Sequence, residues 1–396
     1  MKRSVKFYTF GCKANQYDTQ VLREKFLSQG FVETDNGFAD VYVVNTCVVT
    51  KRAESECQVL LNKLKRKFPY KEVILKGCLK RLIEKEHKDK RFSKDLAEEK
   101  ITFFAKHKRA FLKIQDGCDN FCAYCIVPYV RGKSTSKPKE LVIEEFKGLL
   151  RNGYKEVVLT GICLGDYGKD FLPPSTLVAL LKELESIEGI FRIRLSSLDP
   201  QYIDNELIDF LAKSKKICPH LHIPFQSGDD FILRKMNRKY RSDFAYDIIK
   251  RIRKKIPGII FTTDIMVGFP QEKEENFSNT LTLLEYLKPL KIHIFRFSPR
   301  PGTPAESFLG RVNLKEELER FNLLKELDKK FRDFNLRKFL NRKISLLVER
   351  RISKGVFSGH SEHYFNVLLE AEGKLIGEIA EVKGKEIKED RLLCTL

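Results

Sequence analysis

Cys118, Cys122 and Cys125 fall within eight residues, in the run Cys-Asp-Asn-Phe-Cys-Ala-Tyr-Cys. They follow the apolar stretch Ala110–Ile114, so the pattern predicts three thiols on a loop between a strand and a helix. That placement constrains the fold, because α/β architectures bind their ligands beyond the C-terminal ends of strands. The chain carries ten cysteines in all. Its N-terminus, Met-Lys-Arg-Ser-Val-Lys-Phe-Tyr-Thr-Phe, has charge but no long apolar core after it, so no signal peptide is read and the expected location is the cytoplasm. Reducing compartments disfavour structural disulfides, so clustered cysteines point to metal binding or catalysis.

The number three is informative. A [4Fe–4S] cubane held by three local cysteines keeps one iron open for a substrate or cofactor, whereas an electron carrier closes all four. Zinc would need a fourth nitrogen or sulfur ligand, and no histidine lies within ten residues of the triplet.

Upstream, the first hundred residues alternate between strand and helix patterns. Lys6–Phe10 ends at Gly11-Cys12, residues 15–29 have helical periodicity, Val41–Val44 ends at Asn45-Thr46-Cys47, and Val73–Leu75 ends at Gly77-Cys78. Three cysteines in succession each follow a strand. In a doubly wound parallel sheet those strand ends line one edge, so Cys12, Cys47 and Cys78 are expected to converge despite their separation in sequence.

Residues 82–108 are charged, weakly patterned and read as a linker with helical content. Candidate strands Ala110–Ile114, Glu156–Thr160, Arg192–Ser196, His220–Phe225, Phe261–Val267 and Lys291–Phe297 follow. Amphipathic helical stretches 139–151, 174–187, 201–213, 242–255 and 274–288 alternate with them. Six strand–helix units predict an incomplete parallel (β/α)6 barrel, with Gly161, Ser197, Gln226, Gly268 and Ser298 at the strand ends where its site lies. Residues 315–340 read as a charged helical connector, and from Lys343 a period-two pattern with glycine turns predicts a small β-barrel or sandwich. The expected class is α/β, with domains at 1–104, 105–335 and 336–396.

The wording around the cysteines adds a resemblance. Cys-x3-Cys-x2-Cys after the first barrel strand resembles the radical S-adenosylmethionine superfamily. Gly11-Cys12-Lys13-Ala14-Asn15-Gln16-Tyr17, Asn45-Thr46-Cys47-Val48-Val49-Thr50, Lys76-Gly77-Cys78 and Ile114-Gln115-Asp116-Gly117-Cys118 look like the methylthiotransferases. The resemblance spans the whole chain and implies a methylthiotransferase N-terminal domain, a radical S-adenosylmethionine barrel and a C-terminal RNA-binding TRAM domain. The Gly-Cys-Lys-x-Asn-Gln-Tyr version is similar to the MtaB type, which acts on N6-threonylcarbamoyladenosine beside the anticodon of tRNA.

The resemblance implies that Cys118, Cys122 and Cys125 hold the cluster that cleaves S-adenosylmethionine to a radical. It implies that Cys12, Cys47 and Cys78 hold a second [4Fe–4S] cluster whose open iron carries the inserted sulfur. Two S-adenosylmethionine molecules would be used per product. Such chemistry suits the target, because an aromatic C–H resists acid–base attack and a sulfur must wait within bonding distance of the radical. Gly161 in Thr160-Gly161-Ile162, Ser197 in Ser196-Ser197, Gln226 in Ile223–Gly228 and Arg238 in Met236-Asn237-Arg238 are the candidate S-adenosylmethionine contacts, each also readable as a strand-end turn or an exposed helix end. Asp264–Pro270 and Phe297–Ala305 resemble further barrel motifs, and Tyr124 either packs on the cluster or sits in the core. No side chain is assigned as catalytic, and Cys57, Cys163, Cys218 and Cys394 match no ligand position. The spacings His220/His222 and His360/His363 read as structural.

Charge bears on the partner. The chain has 74 Lys+Arg against 54 Asp+Glu, a net of +20. That favours a polyanion such as the anticodon stem-loop of tRNA, although a lysine-rich surface serving stability gives the same count. Lys51–Lys113 alone has 20 basic and 9 acidic residues, whereas the last 56 residues are near neutral. The segment 51–113, with Lys63, Lys65, Arg66 and Lys67, is therefore expected to grip much of the RNA backbone. An electron donor such as a flavodoxin or ferredoxin is implied, and no apolar run approaches the ~20 residues that span a bilayer. Two other readings stay open. One is methylthiolation of another substrate, either isopentenyladenosine in tRNA or a ribosomal-protein aspartate. The other is a non-enzymatic metal-bearing RNA-binding protein.

Overall fold

The protein is described by a computed structural model covering residues 2–81 and 96–396. Most of the expected linker at 82–108 lies outside the described residues. Among them, no helix is long and apolar enough to cross a membrane.

The N-terminal unit is a four-stranded parallel sheet of order β2-β1-β3-β4, from β1 (Ser4–Thr9), β2 (Val32–Glu33), β3 (Val41–Thr46) and β4 (Glu72–Gly77). β3 is buried at every residue, as expected of a central strand covered on both faces. Helix α1 (Lys13–Ser28) crosses from β1 to β2, and α2 (Lys51–Lys67) crosses from β3 to β4. Strand order reverses between β1 and β3, which makes their C-terminal ends the topological switch point. The two-residue β2 was not legible in the sequence.

The central unit has six parallel strands. β5 (Arg109–Lys113), β8 (Glu156–Thr160) and β9 (Arg192–Leu195) form one run, and β10 (His220–His222), β11 (Ile260–Val267) and β12 (Lys291–Arg296) form the other. Parallel bridges Ile193–Ile217 and Ser197–His222 join the runs into an open barrel. A two-stranded ribbon, β6 (Gln115–Asp116) with β7 (Thr135–Ser136), clasps the loop after β5. Helices α4 (Lys139–Arg151), α5 (Leu177–Ser186), α6 (Asn205–Lys213), α8 (Ser242–Lys255) and α9 (Glu274–Leu287) cover the outside. The short α3 (Val127–Arg131) and α7 (Asp230–Lys235) escaped the periodicity, because one or two turns are too few to show it. Alternate strand residues, such as Leu221, Ile223, Ile265 and Val267, join Ile248, Ile249 and Ile252 of α8 in one core. The residues between them face the barrel interior.

Helix α10 (Leu314–Arg337) leads to a closed five-stranded barrel of order β13-β14-β15-β17-β16, from β13 (Lys343–Ser353), β14 (Val356–Ser361), β15 (Asn366–Glu370), β16 (Ile379–Lys388) and β17 (Arg391–Thr395). It plugs the N-terminal end of the central barrel. Ile260 and Leu290, before or at strand starts, share a core with Ile344, Leu346 and Phe365. Arg192 donates to the carbonyls of Ser345 at 3.0 Å and His360 at 2.7 Å, and Arg194 donates to those of Ser361 at 2.9 Å and Glu362 at 3.0 Å. Glu156 is buried against Arg192 at 2.6 Å, Arg194 at 2.8 Å and Arg109 at 3.9 Å.

Candidate cluster and cofactor site

The loop of residues 117–126 leaves β6 at the open, C-terminal end of the central barrel. Its backbone is pinned by Cys118 N–H to Gly132 O at 3.1 Å, Ala123 N–H to Met236 O at 2.9 Å and Ala305 N–H to Ala123 O at 2.9 Å. Gly117 turns at φ +75°, where an added Cβ would lie 1.9 Å from the carbonyl oxygen of Lys133. Only glycine fits that turn. The three thiols sense one another's charge: burial pushes Cys125 up to about 12, with Cys122 and Cys118 contributing.

Cys12 is the N-cap of α1, Cys47 follows β3, and Cys78 follows Gly77 of β4. The edge brings them together. A Cβ on Gly11 would meet the Cys47 Sγ at 2.8 Å, and burial together with Cys78 and Cys12 raises Cys47 to about 12. Cys78 packs with Ile126 and Val130, the residues just beyond Cys125, so the two triplets share a common wall.

Each triplet has a buried guanidinium. Arg238 Nη1 lies 3.5 Å from the Cys122 Sγ, and Arg238 also pairs with Asp199 at 2.7 Å. Arg131 bonds Asp116 at 2.6 Å and Asn15, and its charge opposes the rise that burial imposes on the Cys78 thiol. Burial raises Cys122 as well, against the same opposition from Arg238. Neutral thiols that must lose protons on ligation, each beside a cation, match thiolate ligation.

The donor sets fit clusters better than a single ion. Zinc–sulfur bonds of about 2.3 Å in a tetrahedron draw thiolates to roughly 4 Å from one another. Among the described residues the His/Cys/Asp/Glu group converging that closely, within 4.8 Å, is His222, Asp264 and His293, and it includes neither triplet. The barrel interior also offers donors for a polar cofactor, because the buried Ser196 Oγ and Arg238 Nε have no hydrogen-bond partner among the described residues.

Of the residues singled out in the sequence, Arg238 is buried beside Cys122 rather than exposed at a helix end. Gly161 lies against the Gln115 side chain, which accepts from Cys163 N–H at 2.8 Å and ties the loop to β8. Gln226 is buried in a left-handed conformation, φ +64°, and its N–H donates to the carbonyl of Asp264 of β11 at 2.8 Å. Ser197 bridges to His222 through its backbone, and the unpartnered hydroxyl belongs to its neighbour Ser196. Tyr124 packs beside Ala123, Met236 and Phe269. Cys163, given no role in the sequence, touches Cys118, whose thiol it lowers by hydrogen bonding. Arg131, Asp199 and His293 were missed, and His222, read as structural, and Asp264, read within a barrel motif, were not expected to meet. They lie on different strands and loops, so no local spacing marks the group.

The radical SAM superfamily matches residues 112–284, and an uncharacterized protein family, UPF0004, matches residues 4–97. The threonylcarbamoyladenosine tRNA methylthiotransferase MtaB of Thermotoga maritima is 35% identical, over 99% of this chain and 96% of its own. This chain belongs to the radical SAM methylthiotransferase family. As a member it is a tRNA-modifying enzyme that works with S-adenosylmethionine and [4Fe–4S]. The tRNA-2-methylthio-N6-dimethylallyladenosine synthase of Acetivibrio thermocellus is also similar, at 32% identity over 96% of this chain and 88% of its own. The radical S-adenosylmethionine methyltransferase TsrM of Kitasatospora setae, solved with tryptophan and a SAM analogue, shares the fold at a TM-score of 0.55 and 14% identity. That match covers 77% of this chain and 75% of TsrM.

Proposed function

We propose that this methylthiotransferase inserts a methylthio group at C2 of N6-threonylcarbamoyladenosine next to the anticodon of tRNA, using two S-adenosylmethionine molecules and two [4Fe–4S] clusters. Cys118, Cys122 and Cys125 hold one cluster, and Cys12, Cys47 and Cys78 hold the other. Gly161, Gln226, Arg238 and the Ser196-Ser197 pair surround S-adenosylmethionine. The observation that carries the reading is the wall of Ile126, Val130 and Cys78, through which two separate triplets meet at the mouth of one barrel. The threonylcarbamoyl substrate is supported by the Gly-Cys-Lys wording at Cys12 and by relatives of that name from Thermotoga maritima, Chlamydia pneumoniae and Bacillus subtilis.

When bound, the cofactors supply the one-electron chemistry and the sulfur that side chains lack. The chain's own residues hold and orient them. Arg238, braced by Asp199, offsets the charge of a Cys122 thiolate, and Arg131 does the same for Cys78. The apolar side chains around Ile126 and Phe269 keep water from the loop. The C-terminal barrel is a TRAM domain that docks the anticodon stem-loop. A flavodoxin or ferredoxin in the cytoplasm supplies electrons.

Anaerobic reconstitution tests the cofactor assignment. The protein is expected to be brown with about eight irons per chain, and Cys78→Ala to retain about half of them together with the cleavage of S-adenosylmethionine. Colourless protein that binds zinc alone would reject it. For the substrate, nucleosides from a strain lacking the gene are digested and weighed. Persistence of methylthiolated threonylcarbamoyladenosine there rejects that assignment, and loss of methylthiolated isopentenyladenosine instead supports the activity for which the Acetivibrio relative is named.

A further inference from the structure

Parts of all three domains meet inside the central barrel. Tyr364, between β14 and β15, has φ +73°, a left-handed backbone that is uncommon for a bulky residue. Its ring stacks on His220, with centroids 4.6 Å apart, and the Arg194 guanidinium lies 5.1 Å from its centre. The Lys13 ammonium, from the N-terminal domain, lies 5.8 Å from the same centre.

Lys13 is anomalous. It opens helix α1, where a positive charge opposes the helix dipole, and no acid shares the first turn. Among the described residues no carboxylate pairs with it. A cation held at an unfavourable place beside a ring, with no carboxylate on it among the described residues, marks a local rule broken for a ligand.

The surroundings say which ligand. One strand layer nearer the cysteine loop, His222 Nε2 faces Asp264 at 3.2 Å and His222 Nδ1 faces Thr262 Oγ1 at 2.9 Å, with His293 alongside. The Asp264 carboxylate is thus bonded to His222. Below it, Arg109, Arg192 and Arg194 face Glu156, and Arg109 also pairs with Glu349 at 2.8 Å, so these guanidiniums outnumber these carboxylates by one. His293 and Tyr364 also border a cavity of about 520 Å³ between the two barrels, whose far wall carries Arg350, Asp390 and Arg391. A purely apolar substituent would leave the Lys13 ammonium with no counter-charge, which such a site rejects strongly. A substituent with hydroxyl, urea and carboxylate groups supplies one.

We propose that Lys13 binds the carboxylate of the threonylcarbamoyl substituent on the target adenosine, with His222, Asp264 and His293 facing the rest of it. The proposal rests on the substrate reading above. It explains how base and sulfur are brought into register, because Lys13 directly follows Cys12 of the sulfur-carrying triplet.

The test measures binding of anticodon stem-loop RNA to the reconstituted holoenzyme by fluorescence anisotropy. Three RNAs carry threonylcarbamoyladenosine, its carboxylate methyl ester or isopentenyladenosine. The wild type is expected to bind the acid about tenfold or more tightly than the ester. Lys13→Met should bind acid and ester alike, at the ester's affinity for the wild type, and Lys13→Arg should restore part of the difference. Equal binding of acid and ester by the wild type overturns the proposal, even where both outbind the isopentenyl RNA and so uphold the substrate reading. An undiminished acid–ester ratio in Lys13→Met, at unchanged iron content, overturns it as well. Should Lys13→Met lose iron, the wild-type acid–ester comparison decides alone. Preference of the wild type for isopentenyl RNA defeats the substrate reading and the proposal together.

Discussion

Asp116 and Arg131 meet at 2.6 Å with 3% and 2% of their side chains exposed, and they close the two ends of the loop that carries Cys118, Cys122 and Cys125. Arg131 also reaches Asn15 and Asp18 on α1, so one guanidinium fixes the loop and docks the N-terminal domain. Removing it leaves Asp116 and Asp18 to share the buried Lys113 ammonium, a loss of half their cationic partners that costs at most about 3–5 kcal/mol. Arg131→Met is therefore expected to lower the free energy of unfolding, read from urea titration, by up to that amount. Arg131→Lys, which keeps the charge but not the fork, should be less destabilised.

Glu156 is the corresponding keystone at the other end of the barrel. Burial alone would raise its carboxyl, but Arg194, Arg192 and Arg109 hold it well below the usual carboxylate range. Glu156→Gln leaves three guanidiniums facing a neutral group. Thermal unfolding should show a loss of about 3–5 kcal/mol, and limited proteolysis should cut first where the C-terminal barrel detaches.

Glu349 gives this docking its pH dependence. Burial raises it, but His360 and Arg109 outweigh that and bring it down to about 2 from 4.5. A depressed carboxylate stabilises the fold fully above its unfolded value and loses that contribution as pH falls toward the folded one. Stability measured by denaturant is thus expected to drop from about pH 5 to pH 2. Glu349→Gln should flatten that part of the curve.

The basic face of α2 supplies a fourth test. Lys63, Lys65, Arg66 and Lys67 are all exposed on this helix. Replacing the four with alanine should reduce the slope of log affinity for tRNA against log salt by about 0.9 for each phosphate no longer neutralised. An unchanged slope places the RNA backbone elsewhere.

Much of the fold could be read before any coordinates, because burial imprints period. α4 and α8 span the residues their apolar spacing predicted, as does β8. The two cysteine triplets could be read for different reasons, one from close spacing and one from position after strands. The interior polar layer could not. Glu156, Arg194, His222, Asp264 and His293 come from five strands, and only barrel closure makes them neighbours. Arg238 resembled a helix-end arginine because its partners, Asp199 and Cys122, lie 39 and 116 residues away in sequence.

Arg192 and Arg194 make their shorter bonds to the small barrel at main-chain carbonyls, those of Ser345, His360, Ser361 and Glu362. Those four bonds do not depend on side-chain identity, whereas Glu349 and Tyr364 add contacts that do. The outer surface of the small barrel can drift, or be exchanged for that of a relative with other RNA preferences, while the plug stays seated. The catalytic barrel thereby tolerates new substrates on its appended module without a matching change in its own floor.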